Sequence, residues 1–295
     1  MTEATQGVNE GGVSQIDIPY RLKWRALSVR TGAHRGKIEG AGGLFRDFDL
    51  LAHSQDPRRI DLRMSLRDPY QNLYVKCFEQ KASITVYALI DLSASMGFRG
   101  AIHKMQVVAD LCKAFAASSR RIGDAFGLIG CNERIVPEFF IPATRSRGGE
   151  ADMMARLRTY KPHGHGAQGL IDAAGYLAGR RKLVFVISDF YWPYSLIAAV
   201  FEALSQHDVV PLVLKDAREL RDLPRYGFVS LADLETGRRR FYAMRPSLRA
   251  ELLRQDTERT QALKRTAMRY GIRPFEILTP IDWDQLGAYL MDEAA

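Results

Sequence analysis

ITVYALIDLSASM, residues 84–96, begins as an almost unbroken apolar and β-branched run, Ile84 to Ile90. It ends with oxygen-bearing side chains at alternate positions, Asp91, Ser93 and Ser95. A run of this kind, without polar alternation, is the mark of a strand buried on both faces. Asp91 therefore stands at the carboxyl end of a central strand. Two readings of the three oxygens are open: a turn that satisfies its own backbone and caps the next helix, or half of a cradle for a hard cation.

The same pattern recurs downstream. LVFVISD, residues 183–189, is a second buried run that ends on a carboxylate, Asp189, and Val209 to Leu214 is a third. Between the first two, Ile102, Met105, Val108, Leu111, Cys112 and Phe115 recur at helical spacing and predict a helix ending near Gly123. Residues 125–130 and 135–141 read as strands around the turn Asn132-Glu133-Arg134. Further helices are predicted over 151–160, 169–178, 195–206, 248–270 and 282–291, with Gly179 and Gly271 placed to end two of them. A hairpin over 228–242, turning at Glu235-Thr236-Gly237, and a last strand at 275–278 complete the order.

Buried strands alternating with helices imply βαβ crossovers. The expected fold is a doubly wound, mainly parallel α/β sheet with helices on both faces, over residues 81–295. Residues 15–80 carry short apolar alternations and glycines at 32, 36, 40, 42 and 43, and are expected as an irregular, partly β segment packed on that sheet. Residues 1–14 are polar and Gly-rich and are expected as a disordered tail.

With 295 residues, 46% hydrophobic and 26% charged, the chain has the composition of a soluble globular protein. Its start lacks the basic and apolar regions of a secretory signal, and no run approaches the ~20 apolar residues of a membrane span. Cys77, Cys112 and Cys131 are widely spaced and form no CxxC pair, which suits thiols in the cytoplasm. The net charge of +8 favours acidic partners. The basic residues come in scattered runs (Arg58-Arg59, Arg145 with Arg147, Arg180 to Lys182, Arg238 to Arg240), and no aromatic-lined basic groove is visible. Protein contacts are expected over nucleic acid.

Ligands of open parallel sheets bind beyond the carboxyl ends of the strands, where strand order reverses. Asp91 and Asp189 are delivered to that same edge, and Ser93 and Ser95 can point toward it. Hard oxygen donors of this type suit Mg²⁺ or Mn²⁺ better than zinc or iron. Catalytic alternatives lack parts. A phosphatase using Asp91 as nucleophile needs a second Asp at position 93, which is serine. Neither serine sits in a G-x-S-x-G elbow, and GAHRGK, residues 32–37, has the wrong spacing for a phosphate loop. His163 and His165, in the loop PHGHG, would rim the site or simply lie exposed. Tyr191, Trp192 and Tyr194 would line a partner-binding edge or pack in the core.

Strand–DxSxS–helix at Asp91, Ser93 and Ser95, with a later strand ending in Asp189, resembles the von Willebrand factor A domain and its metal-ion-dependent adhesion site. That family also uses a loop threonine, and GAQGLIDAA places Gln168 at the corresponding position. The resemblance implies a divalent-metal set of Asp91, Ser93, Ser95, Gln168 and Asp189 whose open coordination position takes a partner's carboxylate. A narrower resemblance covers residues from about 30 to 295. GAGGLFRDFDLLAHSQDPRRIDLRMSLRDPYQNLYVKCFEQ, the later DLETG and the closing IDWDQL are similar to the DUF58 family, with Leu62 where members usually carry Trp. This resemblance implies a non-enzymatic module working with a MoxR-type AAA+ ATPase to assemble or activate client proteins, including metal-containing dehydrogenases. The short form resembles members of bacterial methanol-oxidation clusters. The alternatives are a metal-free scaffold on the same fold, or a hydrolase or phosphatase using Asp91.

Overall fold

The computed structural model describes residues 18–22, 24, 31–53, 57–97, 103–146, 148–216, 226–232 and 239–292. The expected tail at 1–14, Ile102, and the expected turn at Glu235-Thr236-Gly237 lie outside these residues.

The chain opens with β1 (Thr31–Leu50), a short helix α1 (Leu62–Ser65) and β2 (Tyr74–Ala82). Then come β3 (Thr85–Asp91), α2 (Lys104–Arg121), β4 (Ala125–Cys131), β5 (Ile135–Thr144), α3 (Glu150–Thr159) and α4 (Gly169–Tyr176). After these follow β6 (Leu183–Ser188), α5 (Tyr194–Ala203), β7 (Asp208–Leu214), β8 (Gly227–Ala232) and β9 (Arg239–Met244). The last elements are α6 (Pro246–Arg269), β10 (Phe275–Ile277) and α7 (Trp283–Asp292).

Six strands form the central sheet in the order β10-β7-β6-β3-β4-β5. All neighbours are parallel except β4 and β5, which the tight Asn132–Arg134 turn forces antiparallel. Counted within the sheet, this is the doubly wound order 3-2-1-4-5-6, and strand order reverses between β3 and β6. The expected fold class is the observed one.

Burial follows from the pleat, which sends alternate residues of each strand to opposite faces. Val86, Ala88 and Ile90 of β3 join one apolar cluster with α2 residues such as Val108, Leu111 and Phe115 and with Leu286 and Leu290 of α7. Tyr87 and Leu89 join the other, with Leu170 of α4, Val200 and Phe201 of α5 and Leu263 of α6. Phe115 stacks on Phe185 of β6 with ring centroids 3.9 Å apart, fastening α2 across the sheet. Cys77, Cys112 and Cys131 are all buried as thiols, and burial pushes Cys112 and Cys131 well above the usual thiol range.

The N-terminal segment is partly β, as expected. β1 pairs antiparallel with β2, and its register shifts repeatedly between Thr31 and Asp47, the stretch that holds the glycines. Ile18 and Tyr20 reach the main core. The hairpin β8–β9 forms its own two-stranded sheet.

Helix boundaries moved for local reasons. α2 begins at Lys104, with the exposed His103 as its N-cap residue. α6 begins two residues earlier than expected, at Pro246, whose fixed φ suits the first helical position. α4 ends at Tyr176, ahead of Gly179, which adopts φ +99°. Gly271 follows the C-cap residue of α6, Tyr270, with φ +69°.

Candidate functional site

β3 and β6 are hydrogen-bonded neighbours, so their carboxyl ends bring Asp91 and Asp189 to the same point, where strand order reverses. Asp91, Ser93, Ser95 and Asp189 are 0%, 0%, 7% and 6% exposed, and they form one connected network. Ser93 and Ser95 hydroxyls lie 3.2 Å apart, and Ser95 Oγ donates to Asp189 Oδ1 at 3.1 Å. The backbone N–H of Ser93 donates to Asp91 Oδ1 at 2.8 Å, the turn half of that sequence reading, while the N-cap of α2 is His103 and not one of these three side chains.

Gln168 stands apart from these four. It is exposed, and it caps the start of α4 without a side-chain hydrogen bond. Its loop is nonetheless bolted to the site: Ala94 N–H donates to Gly164 O, His163 N–H to Leu92 O, and His165 N–H to Glu133 Oε1. Gly169 explains how closely that loop packs. A Cβ there would lie 2.4 Å from the carbonyl carbon of Arg134, and backbone cannot step aside. His163 and His165 are exposed on the same loop.

Four further side chains take part, of which the sequence had singled out only Trp192. Ser188 donates to Asp91 Oδ2 at 2.6 Å, and the indole N–H of Trp192 donates to the same oxygen at 2.9 Å. Lys104, only 2% exposed, places its ammonium 2.8 Å from Asp189 Oδ2 and 3.4 Å from Ser95 O. Arg259 of α6 donates to the carbonyls of Phe190 and Trp192, and its guanidinium lies 5.1 Å from the Tyr191 ring centre and 5.7 Å from that of Tyr194. A buried indole usually seeks an acceptor, so Trp192 was discoverable in principle. Lys104 was not, because lysine in a first helical turn ordinarily reads as solvated.

The loop after β6 is bent sharply to reach this arrangement. Phe190 adopts φ +56°, a left-handed conformation costly for a bulky residue, while its side chain is 2% exposed. Its N–H is held by Ser188 Oγ. The turn splits the aromatic trio: Trp192 is core, Tyr191 is half-buried and Tyr194 is 46% exposed.

Burial, and after it the charge of Asp189, pushes the Asp91 carboxyl up to about 7. Both Asp91 oxygens are already engaged by three donors, and the Asp189 charge is answered by Lys104. The side chains as placed therefore do not fit a divalent ion. Such an ion would meet an ammonium already seated against its carboxylate ligand, and would lack the fifth donor that Gln168 was expected to supply.

A family model described as "protein of unknown function DUF58" matches residues 52–262, most of the chain. The chain is 26% identical over 270 residues to the uncharacterized protein Rv1480 of Mycobacterium tuberculosis, covering 89% of this chain and 83% of that one. It is 38% identical over 104 residues to an uncharacterized protein in the moxR 3′ region of Paracoccus denitrificans, covering 34% of this chain and 96% of that one. The conserved hypothetical protein BatB of Bacteroides thetaiotaomicron is similar at 12% identity with a TM-score of 0.41, over 72% of this chain and 97% of that one. By the extent of the family match, the chain belongs to the DUF58 family.

Proposed function

We propose that this protein is a non-enzymatic binding module that works with a MoxR-type AAA+ ATPase in assembling or activating client proteins, a metal-containing dehydrogenase among the candidates. The observation that carries the reading is the 38% identical relative from the moxR 3′ region, whose matched stretch spans nearly all of that relative. The geometry supports a binding role over a catalytic one. The two site hydroxyls are buried and hydrogen-bonded to each other and to Asp189, and both Asp91 oxygens already accept hydrogen bonds. Neither set is presented to a substrate. Beside them the edge offers Tyr194, Tyr191 and the cation of Arg259, residue types enriched at protein interfaces. We place the protein in the cytoplasm, where buried thiols persist. No helix among the described residues is long and apolar enough to cross a membrane.

The test is affinity for the MoxR-type ATPase of the same host, with Tyr194→Ala and Arg259→Ala beside the wild type. Binding should weaken by about tenfold or more in each variant. No measurable binding by the wild type, with or without nucleotide, rejects the partner. Hydrolysis of phosphate or acyl esters that disappears in Asp91→Asn rejects the non-enzymatic reading.

A further inference from the structure

We propose that Lys104 is the built-in cation of this site, its ammonium supplying against Asp189 the positive charge that the fold family takes from a divalent metal, so that the carboxyl edge of the sheet works without metal. The inference deepens the binding-module reading above and rests on it for the edge's role. Three structural observations support it.

The first is placement. Lys104 is the first residue of α2, where the helix dipole disfavours positive charge. It is also buried, a condition lysine almost never meets without a partner. Two general preferences are overridden at one position, and Asp189 at 2.8 Å is the compensating group.

The second is saturation. Asp189 Oδ2 takes Lys104, while Asp189 Oδ1 takes Ser95 Oγ at 3.1 Å and Tyr191 N–H at 3.2 Å. Asp91 Oδ1 takes Ser93 N–H, and Asp91 Oδ2 takes Ser188 Oγ and Trp192 Nε1. The third is closure. The Tyr191 ring centre lies 5.7 Å from the ammonium, so an aromatic face covers the cation in addition to the carboxylate. Gln168, the residue that departs from the metal-binding pattern, is exposed. A lysine seated on Asp189 and a missing ligand are two departures with one explanation.

Mn²⁺ is the probe, and the proteins are wild type, Lys104→Met and Lys104→Met/Asp189→Asn. Bound Mn²⁺ is counted by electron paramagnetic resonance, and thermal midpoints are read with chelator and with millimolar Mn²⁺. Wild type should bind no Mn²⁺ at the site and keep the same midpoint in both. Lys104→Met, left with buried carboxylates and no cation, should unfold earlier and gain ~3 °C or more from Mn²⁺. The double variant should recover part of the lost midpoint and lose the response to Mn²⁺.

One tightly bound Mn²⁺ per wild-type chain, with stabilisation equal to or above that of Lys104→Met, overturns the proposal. That measurement decides the matter even if the variants fail to fold. ATPase capture by the wild type in chelator separates the two readings. Capture abolished by chelator sinks the lysine and keeps the partner. If no capture occurs in either condition, the partner reading falls, and the Mn²⁺ count still decides the lysine.

Discussion

The sheet carries a buried carboxylate cluster at each end, and the two are built differently. At the amino edge, Asp124 accepts from Tyr20 Oη at 2.8 Å, from the backbone N–H of Ile84 at 2.8 Å, and lies 2.7 Å from His34 Nε2. Its partners come from the N-terminal segment and from the residue preceding β3. It ties one part of the chain to another. At the carboxyl edge, the partners of Asp91 and Asp189 come from the loop after β3, the first residue of α2 and the turn that ends β6, around the switch point, with a lysine in their midst. Among the described residues this edge also holds a left-handed Phe190 and an exposed tyrosine. One cluster fastens a segment. The other holds a surface in shape.

The comparison breaks most readily at Asp124. Replacement by Ala leaves the His34 ring and the Ile84 N–H without this acceptor and the Tyr20 hydroxyl with Ser119 Oγ in its place, and should cost on the order of 3–5 kcal/mol in urea unfolding. The segment around residues 18–50 should become the first site of proteolysis. A loss below ~1 kcal/mol would mean that this edge does not anchor the segment.

At the opposite edge, Gly169→Ala should cost roughly 2 kcal/mol or more, because the new methyl meets the Arg134 backbone. The damage should appear as faster hydrogen exchange in α4 and in the 163–168 loop, with the amino edge unaffected. Trp192→Phe, which keeps most of the ring volume but removes the N–H to Asp91, should cost about 1–2 kcal/mol. Exchange should rise at residues 188–192 and stay unchanged around Tyr20 and His34.

Acid should separate the two ends by sign. His207 lies just before β7, at the amino edge, and burial, then Lys182 and Arg181, lower it to about 4. Unfolded, it takes its proton near 6.5. Its contribution is therefore complete above pH 6.5 and is lost as pH falls toward 4, on the order of 2 kcal/mol at the limit. Asp91 is raised, so the folded chain holds the extra proton between about 4 and 7, and its contribution grows as pH falls through that window. His207→Gln should therefore unfold later than wild type at pH 4.5, relative to their difference at pH 7.5. An unchanged difference would show that His207 does not resist protonation.

The central strands were legible because a two-sided strand needs no context: Val86 to Ile90 and Leu183 to Ile187 are apolar on both faces. Their final carboxylates were legible for the same reason, since the edge follows from the strand. What lay hidden depends on tertiary geometry. Whether Lys104 is solvated or buried is set by how α2 packs on the sheet, through contacts such as the Phe115–Phe185 stack that are remote from it in sequence. Tyr191, Trp192 and Tyr194 are adjacent in sequence, and the positive φ at Phe190 helps set their different fates. The repeated register shifts of β1 were visible only as glycines, which signal irregular backbone without giving its course.

The three cysteines, buried at 2%, 0% and 0% exposure, give the chain a practical property. None presents its sulfur to solvent, so maleimide reagents should find no native target while the fold is intact. A cysteine introduced at exposed Gln168 or Tyr194 then becomes the lone reactive handle, with no background to engineer away. A dye placed there would report docking at the carboxyl edge in real time, and the same dye would expose unfolding the moment a second thiol began to react.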